Sequence, residues 1–360
     1  MFGLYIHIPY CRSKCRYCDF YSTPCPDGVP EAYIDALCRE MDRFSPCGST
    51  PLRPDTLYFG GGTPSLLTPA QAARLIRAAG PAPGAEITLE ANPETVTPER
   101  LAAFRRAGVN RLSLGIQTAR DDSLARLGRR HTAAQSRRAL GMAVQAGFTD
   151  ISGDLMLALP AYTMAELDET IALLAESGCT HISGYLLKIE PNTVFGKRPP
   201  ALPDDDAAAD FYLAAVEKLA ALGYAQYEIS NFARPGFESR HNRIYWDCGD
   251  YLGLGPAAHS CMGGKRFATP AGTAAFLAAP AVDEPQGECT AEDYIMLQLR
   301  LSRGLSLSVL RARYGVSFSS EKLRFLQTLA EHGLAVFDGS VLRLTPRGML
   351  VQNSILCELV

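Results

Sequence analysis

Three of the chain's eleven cysteines, Cys11, Cys15 and Cys18, crowd into eight positions of a 360-residue sequence. Spacings of four and then three put three thiols on one short loop, directly after the apolar run LYIHI (4–8), and aim them at a common point. Thiolates take soft metals. A structural zinc site wants four protein ligands, and no fourth cysteine follows at metal-finger spacing, so Cys25 or His7 would have to complete it. Iron–sulfur clusters are held by cysteine thiolates, and a cubane gripped by three leaves one iron open to an external ligand. The trio reads as the seat of a 4Fe-4S cluster, with zinc as the alternative. Cys179, Cys248, Cys261, Cys289 and Cys357 lie singly and read as small buried hydrophobes. The odd total and the lack of a secretion-type leader argue against a disulfide framework and for a cytoplasmic chain.

A loop of this kind needs a frame. Short apolar runs at 4–8, 56–60, 86–91, 111–116, 150–156 and 181–187 alternate with helical patterns, such as Ile34, Leu37, Met41 and Phe44 after Pro30. Another helix opens at Thr97-Pro98-Glu99 and stops at Gly108. Six strands alternating with helices predict a parallel α/β sheet. Periodicity leaves a barrel and a doubly wound sheet equally open. Asp204–Asp206 then start a helix with Phe211, Ala215, Leu219 and Leu222 on one face, and 224–230 reads as one more strand. The main domain is expected over 1–265, an Ala/Pro/Gly-rich linker over 266–287, and a separate domain over 288–360. That last part shows helical runs near 291–302, 306–313 and 320–332, then two short strands about Asp338-Gly339, a winged-helix-like α+β pattern. Its basic and acidic residues nearly balance, and the whole chain carries a formal net charge of −3, so no nucleic-acid footprint is present. No apolar stretch reaches the roughly 18 residues of a membrane span.

The loop C-x-x-x-C-x-x-C with Tyr17 before its last cysteine resembles the radical S-adenosylmethionine (SAM) superfamily. YIHIPYC, CRYCDFYS, FGGGTPS (59–65), LSLGIQT (112–118), GDLMLALP (153–160), HNRIYW (241–246) and GLGPAAHS (253–260) together resemble one branch of it. That branch comprises the oxygen-independent coproporphyrinogen III oxidases and their relatives, the heme chaperones of the HemW type. The resemblance implies a partial (β/α)6 barrel with a small C-terminal domain. It also implies a single 4Fe-4S cluster on Cys11, Cys15 and Cys18, whose open iron is chelated by SAM. Carried over by position, the SAM contacts are Tyr5, Tyr17, Gly61, Gly62, Thr63, Glu90, Gln117, Arg129 and Asp154, with Arg130 adjoining Arg129. Each has a plainer reading. A glycine triplet makes turns, a glutamate at a strand end is commonly a solvated rim residue, and Gln117 could merely satisfy buried backbone. Their shared place at strand carboxyl ends, the catalytic edge of such barrels, favours the cofactor.

Within the branch, Cys18-Asp19-Phe20 replaces the oxidases' further cysteine, and little sequence precedes Cys11. Both features, with HNRIYW, resemble the chaperones, which hold heme and pass it to an acceptor protein. Heme wants a His, Cys, Met or Tyr ligand, or an apolar slot. The candidates are His241, Tyr245 and Trp246, the only tryptophan, together with His259. His241 could equally pin a loop, Trp246 fill core, and His259 face SAM; His7 reads as a support for the cluster loop. The other reading is a radical enzyme acting on a tetrapyrrole, by oxidative decarboxylation or ring opening. It would need an electron donor. A homodimer is compatible with either.

Overall fold

A computed structural model describes residues 1–25, 27–45 and 51–360. The six expected strands are present: β1 (Phe2–Ile8), β2 (Thr56–Gly61), β3 (Glu86–Ala91), β4 (Arg111–Gln117), β5 (Asp150–Leu157) and β6 (His181–Leu186). They pair in sequence order, all parallel. Every residue of β4 is buried, as a central strand covered on both faces must be. The intervening helices are cut where the sequence cuts them. Thr97 caps the helix Pro98–Ala107 through its side chain, and Gly108, at φ 113°, closes it.

Four differences from expectation have physical causes. The run 224–230 is the first strand and turn of a hairpin, β7 (Ala225–Glu228) and β8 (Asn231–Ala233), that continues the sheet antiparallel beyond β6. Its turn is set by the Glu228 carboxylate, which accepts from the Ser230 amide at 2.8 Å and from the Asn231 side chain. A seventh parallel strand, β9 (Asp250–Leu254), pairs with the outer side of β1. The sheet then runs on through β10 (His259–Met262), β11 (Lys265–Ala268) and β12 (Glu284–Glu288), so the stretch expected as a linker carries strand and a helix, Thr273–Ala278. All five residues of β12 are exposed; an edge strand without apolar alternation leaves no strand signal. Finally, Leu222 is exposed, because its helix (Asp205–Ala221) has ended and Gly223 turns the chain at φ 83°.

Side chains on the loop after β1 and on β6 line the same cavity. Five strand spacings of about 4.8 Å would separate β1 from β6 by roughly 24 Å in a flat sheet. The sheet therefore curls into an open barrel, the choice that periodicity could not make. Residues 289–359 build a second apolar core around Tyr294, Ile295, Leu310, Leu326 and Leu342. It comprises helices Ala291–Gln298, Leu307–Tyr314 and Ser320–Glu331 with a three-stranded sheet, followed by two short helices. Backbone pairing joins it to the barrel: Ile229 donates to Arg300 at 2.9 Å and Ser302 to Tyr227 at 3.1 Å.

Candidate functional site

The cysteine loop is held at several points. Cys25 donates its amide to the Cys11 carbonyl at 2.7 Å, Arg16 to Leu127 at 3.0 Å, and Phe195 to Arg16 at 2.9 Å. This leaves Cys11, Cys15 and Cys18 half-buried on the wall of a cavity of about 140 Å³. Burial pushes the Cys11 and Cys18 thiols up, with Cys15 beside both adding to the shift. Among the described residues, neither candidate for zinc's fourth ligand stands at the trio. Cys25 Sγ donates to Gly28 O at 3.0 Å, and both His7 nitrogens are engaged, by Tyr5 OH at 2.9 Å and Tyr21 O at 2.9 Å. Neither group lines the cavity. Three thiols lining one polar hollow suit a cluster with one exposed iron.

Eight of the nine residues expected around SAM line this hollow: Tyr17, Gly61, Gly62, Thr63, Glu90, Gln117, Arg129 and Asp154. The ninth, Tyr5, does not; its hydroxyl meets His7 and its ring stacks on Tyr58, 6.1 Å between centroids. Thr63 Oγ1 donates to Cys11 Sγ at 3.4 Å and accepts from Asn92 at 3.1 Å. Arg129 reaches Gly115 O at 2.6 Å, Asn92 Oδ1 at 2.7 Å and Cys15 Sγ at 3.7 Å. Burial opposes its charge, yet Tyr17 and Cys15 around it hold its pKa above the ordinary value. Arg130 lies outside the hollow. Glu90 accepts from Tyr58 OH at 2.8 Å and Gly61 N at 3.2 Å, and burial lifts its carboxyl to about 7 against those bonds. Burial likewise lifts Asp154 to about 6, with Arg129 opposing. Gln117 sits at φ 69°, a left-handed conformation costing a side-chain residue about 1–3 kcal/mol, at a register shift that ends β4. Tyr185 OH donates to its Oε1 at 3.0 Å.

The glycine triplet has a structural reason that was not visible in sequence. A Cβ at Gly60 would sit 2.7 Å from the Tyr5 ring, one at Gly61 2.6 Å from the His7 ring, and one at Gly62 2.7 Å from Tyr10 O. Rings of β1 demand Gly60 and Gly61, and the backbone of Tyr10 just after β1 demands Gly62, whatever the hollow holds.

A larger cavity of about 430 Å³ adjoins, and Phe20, 70% exposed, lines both. Its walls are mostly apolar. Tyr245, Trp246, Tyr251, His259, Met296 and Leu297 line it, and Arg266 pairs with Asp293 at 3.4 Å among them. His259 therefore belongs to this cavity and not to the cysteine hollow. The structure withdraws His241 as an iron ligand. It is 1% exposed at the amino ends of the strands, with Nδ1 on Thr56 Oγ1 at 2.7 Å and Nε2 on Tyr245 OH at 2.7 Å. Desolvation drops its pKa to about 3, so it stays neutral and pins the Tyr245 ring.

A family model for the radical SAM superfamily matches residues 5–174, and one for the HemN C-terminal domain matches 290–351. The heme chaperone HemW of Escherichia coli is 44% identical over 262 residues, covering 71% of this chain and 69% of that protein. HemW of Mycobacterium tuberculosis is 35% identical over 378 residues, covering 100% and 95%. The chain belongs to the HemW family. The solved structure of E. coli coproporphyrinogen III oxidase HemN, at 24% identity, covers 99% of this HemW-family chain and 89% of its own with a TM-score of 0.82, which shows a common fold.

Sequence reasoning missed several residues of this HemW-family site. Asn92, which links Thr63 to Arg129, follows β3 and was findable by the same strand-end logic that found Glu90. Tyr185 lies within β6, where no motif marked it. Cys248, Cys261 and Cys289, read as solitary core residues, line the large cavity together. No local signal links positions so far apart.

Proposed function

We propose that this chain is a heme-binding and heme-transfer protein that seats heme in the 430 Å³ cavity beside a hollow for a 4Fe-4S cluster and SAM. The observation that carries the reading is the contiguity of the two cavities across Phe20. The larger has the size and apolar lining of a site for a flat organic ligand. Tyr245 and Trp246 offer ring faces, His259 and Met296 offer axial ligands, and Arg266 offers a cation for a propionate. Among the described residues Trp246 Nε1 is buried without a partner, a donor that a ligand acceptor would satisfy. His241 acts here as a positioning residue, through Tyr245.

In the hollow, Cys11, Cys15 and Cys18 would hold the cluster and leave its fourth iron for the amino and carboxylate groups of SAM. A reduced cluster can supply the electron that cleaves a carbon–sulfur bond of SAM. Arg129 and Asn92 orient Thr63 and Cys15, Glu90 accepts from ribose hydroxyls when ionised, and Tyr17 covers the cofactor. We place the protein in the cytoplasm: its eleven cysteines are an odd number without the spacing of a disulfide framework. No helix of the described residues is long and apolar enough to cross a membrane. The acceptor is a heme-requiring protein, and the C-terminal domain, whose basic and acidic residues nearly balance, is a candidate surface for it.

The test is heme retention through gel filtration after anaerobic reconstitution. The wild type keeps stoichiometric heme, and His259→Ala or Trp246→Ala loses it. Loss of carboxylates from coproporphyrinogen III under reducing conditions would overturn the chaperone reading in favour of the radical enzyme.

A further inference from the structure

Three thiols outside the cluster loop meet on the wall of the large cavity. Cys261 lies in β10, Cys289 follows β12, and Cys248 follows the helix Arg240–Trp246. The Sγ atoms of Cys261 and Cys289 stand 3.6 Å apart, at van der Waals contact, and Cys248 also reaches Cys289. Cys289 is fixed by its amide, which donates to Gly264 O at 2.8 Å in the β10–β11 turn, so one sheet edge positions both members of the closer pair. Cys248 is tied differently. Arg313 holds its carbonyl at 2.6 Å, and its backbone sits at φ 45°.

We infer that Cys261 and Cys289 are a reversible redox pair, oxidised to a disulfide by a low-molecular-weight disulfide such as glutathione disulfide. Cys289 is the accessible partner, half-buried against a cavity open to solvent; Cys261 is 1% exposed. The Cys289 thiolate attacks one sulfur of glutathione disulfide and expels a glutathione thiolate. The Cys261 sulfur then attacks Cys289, its proton passing to the second glutathione as that leaves. Two protein thiols are oxidised and one glutathione disulfide becomes two glutathiones. Burial lifts the Cys261 thiol to about 12, so it stays protonated and inert until its neighbour is activated. The bond would tie β10 to the segment leading into the helix Ala291–Gln298, which lines the same cavity through Asp293, Met296 and Leu297. Oxidation thus locks these two parts of the cavity wall together. The consequence for heme rests on the function proposed above; the cross-link does not.

The experiment equilibrates the full chain, anaerobically and with its cluster, in buffers of graded glutathione to glutathione disulfide ratio. Free thiols are then alkylated in acid and the peptides mapped by mass spectrometry. A Cys261–Cys289-linked peptide should grow with the disulfide fraction, disappear under a dithiol, persist in Cys248→Ser and be absent from Cys289→Ser. Cys289 found only as a glutathione adduct, paired with Cys248, or alkylated at every ratio would overturn the pair. In parallel, heme should leave the oxidised wild type about threefold more slowly than the reduced form, with no such change in Cys261→Ser. A cross-link with unchanged release would overturn the control of the cavity. A reduced wild type that never retains heme would instead defeat the heme reading and leave the cross-link standing.

Discussion

The two cavities are built on opposite plans. The cysteine hollow draws its walls from the ends of successive parallel strands and the loops that follow them, and its polar side chains are knitted together. Thr63 joins Cys11 to Asn92, Asn92 joins Arg129, and Tyr58 joins Glu90. The larger cavity is assembled from the sheet's far edge, the helix Arg240–Trp246 and the start of the C-terminal domain, with aromatic faces and few internal bonds. A site that must place reacting atoms is pre-organised by hydrogen bonds. One that must admit and release a large apolar cargo is walled by elements that can shift against one another.

The sharpest way to break that contrast is to empty one side. Replacing Cys11, Cys15 and Cys18 together by Ala should abolish bound iron and its brown absorbance while the far-ultraviolet circular dichroism stays native, because the apolar core around Leu4, Leu57, Leu89 and Leu112 does not include them. Heme retention should persist at least in part. If heme and iron vanish together with secondary structure intact, the cavities are one site and the division fails.

The same division decided what could be read from the chain. Most of the hollow lies in the carboxyl-terminal halves of successive strands or in the loops just after them, so motif and strand order together located Cys11, Gly61, Thr63, Glu90 and Gln117. Tyr5 misled because it sits on β1 three residues before the strand's end, and its ring turns to Tyr58. His241 looked like a ligand because imidazole beside aromatic residues is what a heme site needs. Only the fold shows Thr56 and Tyr245 consuming both nitrogens. Cys248, Cys261 and Cys289 meet only because the sheet extends through β10–β12, and β12, all exposed, carries no pattern to announce it. Distance in sequence, not weakness of chemistry, hid the second cavity.

Trp246→Ala sharpens the contrast from the other side. A buried aromatic anchor removed from a binding site commonly costs 2 kcal/mol or more, so heme affinity should fall by about thirtyfold. SAM affinity, measured by calorimetry on the reconstituted protein, should be unchanged, since no wall of the hollow includes Trp246. A parallel loss of both affinities would mean that the cavities are energetically coupled through Phe20.

Gly60→Ala asks whether the glycine triplet serves packing. Its Cβ would lie 2.7 Å from the Tyr5 ring and 3.0 Å from Tyr58, two side chains held in a stacked pair. Overpacking of this kind costs about 1–3 kcal/mol, a fall in Tm of roughly 2–8 °C. Combining it with Tyr5→Leu should restore much of the loss. If the double variant is no more stable than the single one, the triplet's constraint lies elsewhere.

The smallest effect is electrostatic and separates the hollow's carboxylates from every group of the large cavity. Glu90 titrates near 4.5 when solvated and about 7 in the fold, because burial penalises its charge. Between those values the folded chain holds a proton that the unfolded chain has released, so stability falls as pH rises toward 7 and levels off above it. Asp154, moved from 3.8 to about 6, adds a fall in the same direction at lower pH. In protein without cluster or SAM, Tm should therefore drop between pH 5 and 8. Glu90→Gln should flatten the upper part of that slope. Saturating SAM should flatten it too, since a sulfonium cation nearby stabilises the ionised carboxylate, and the same linkage makes SAM bind more tightly at pH 8 than at pH 6. A slope that persists unchanged in Glu90→Gln would assign it to other groups and remove Glu90 from the electrostatics of the hollow.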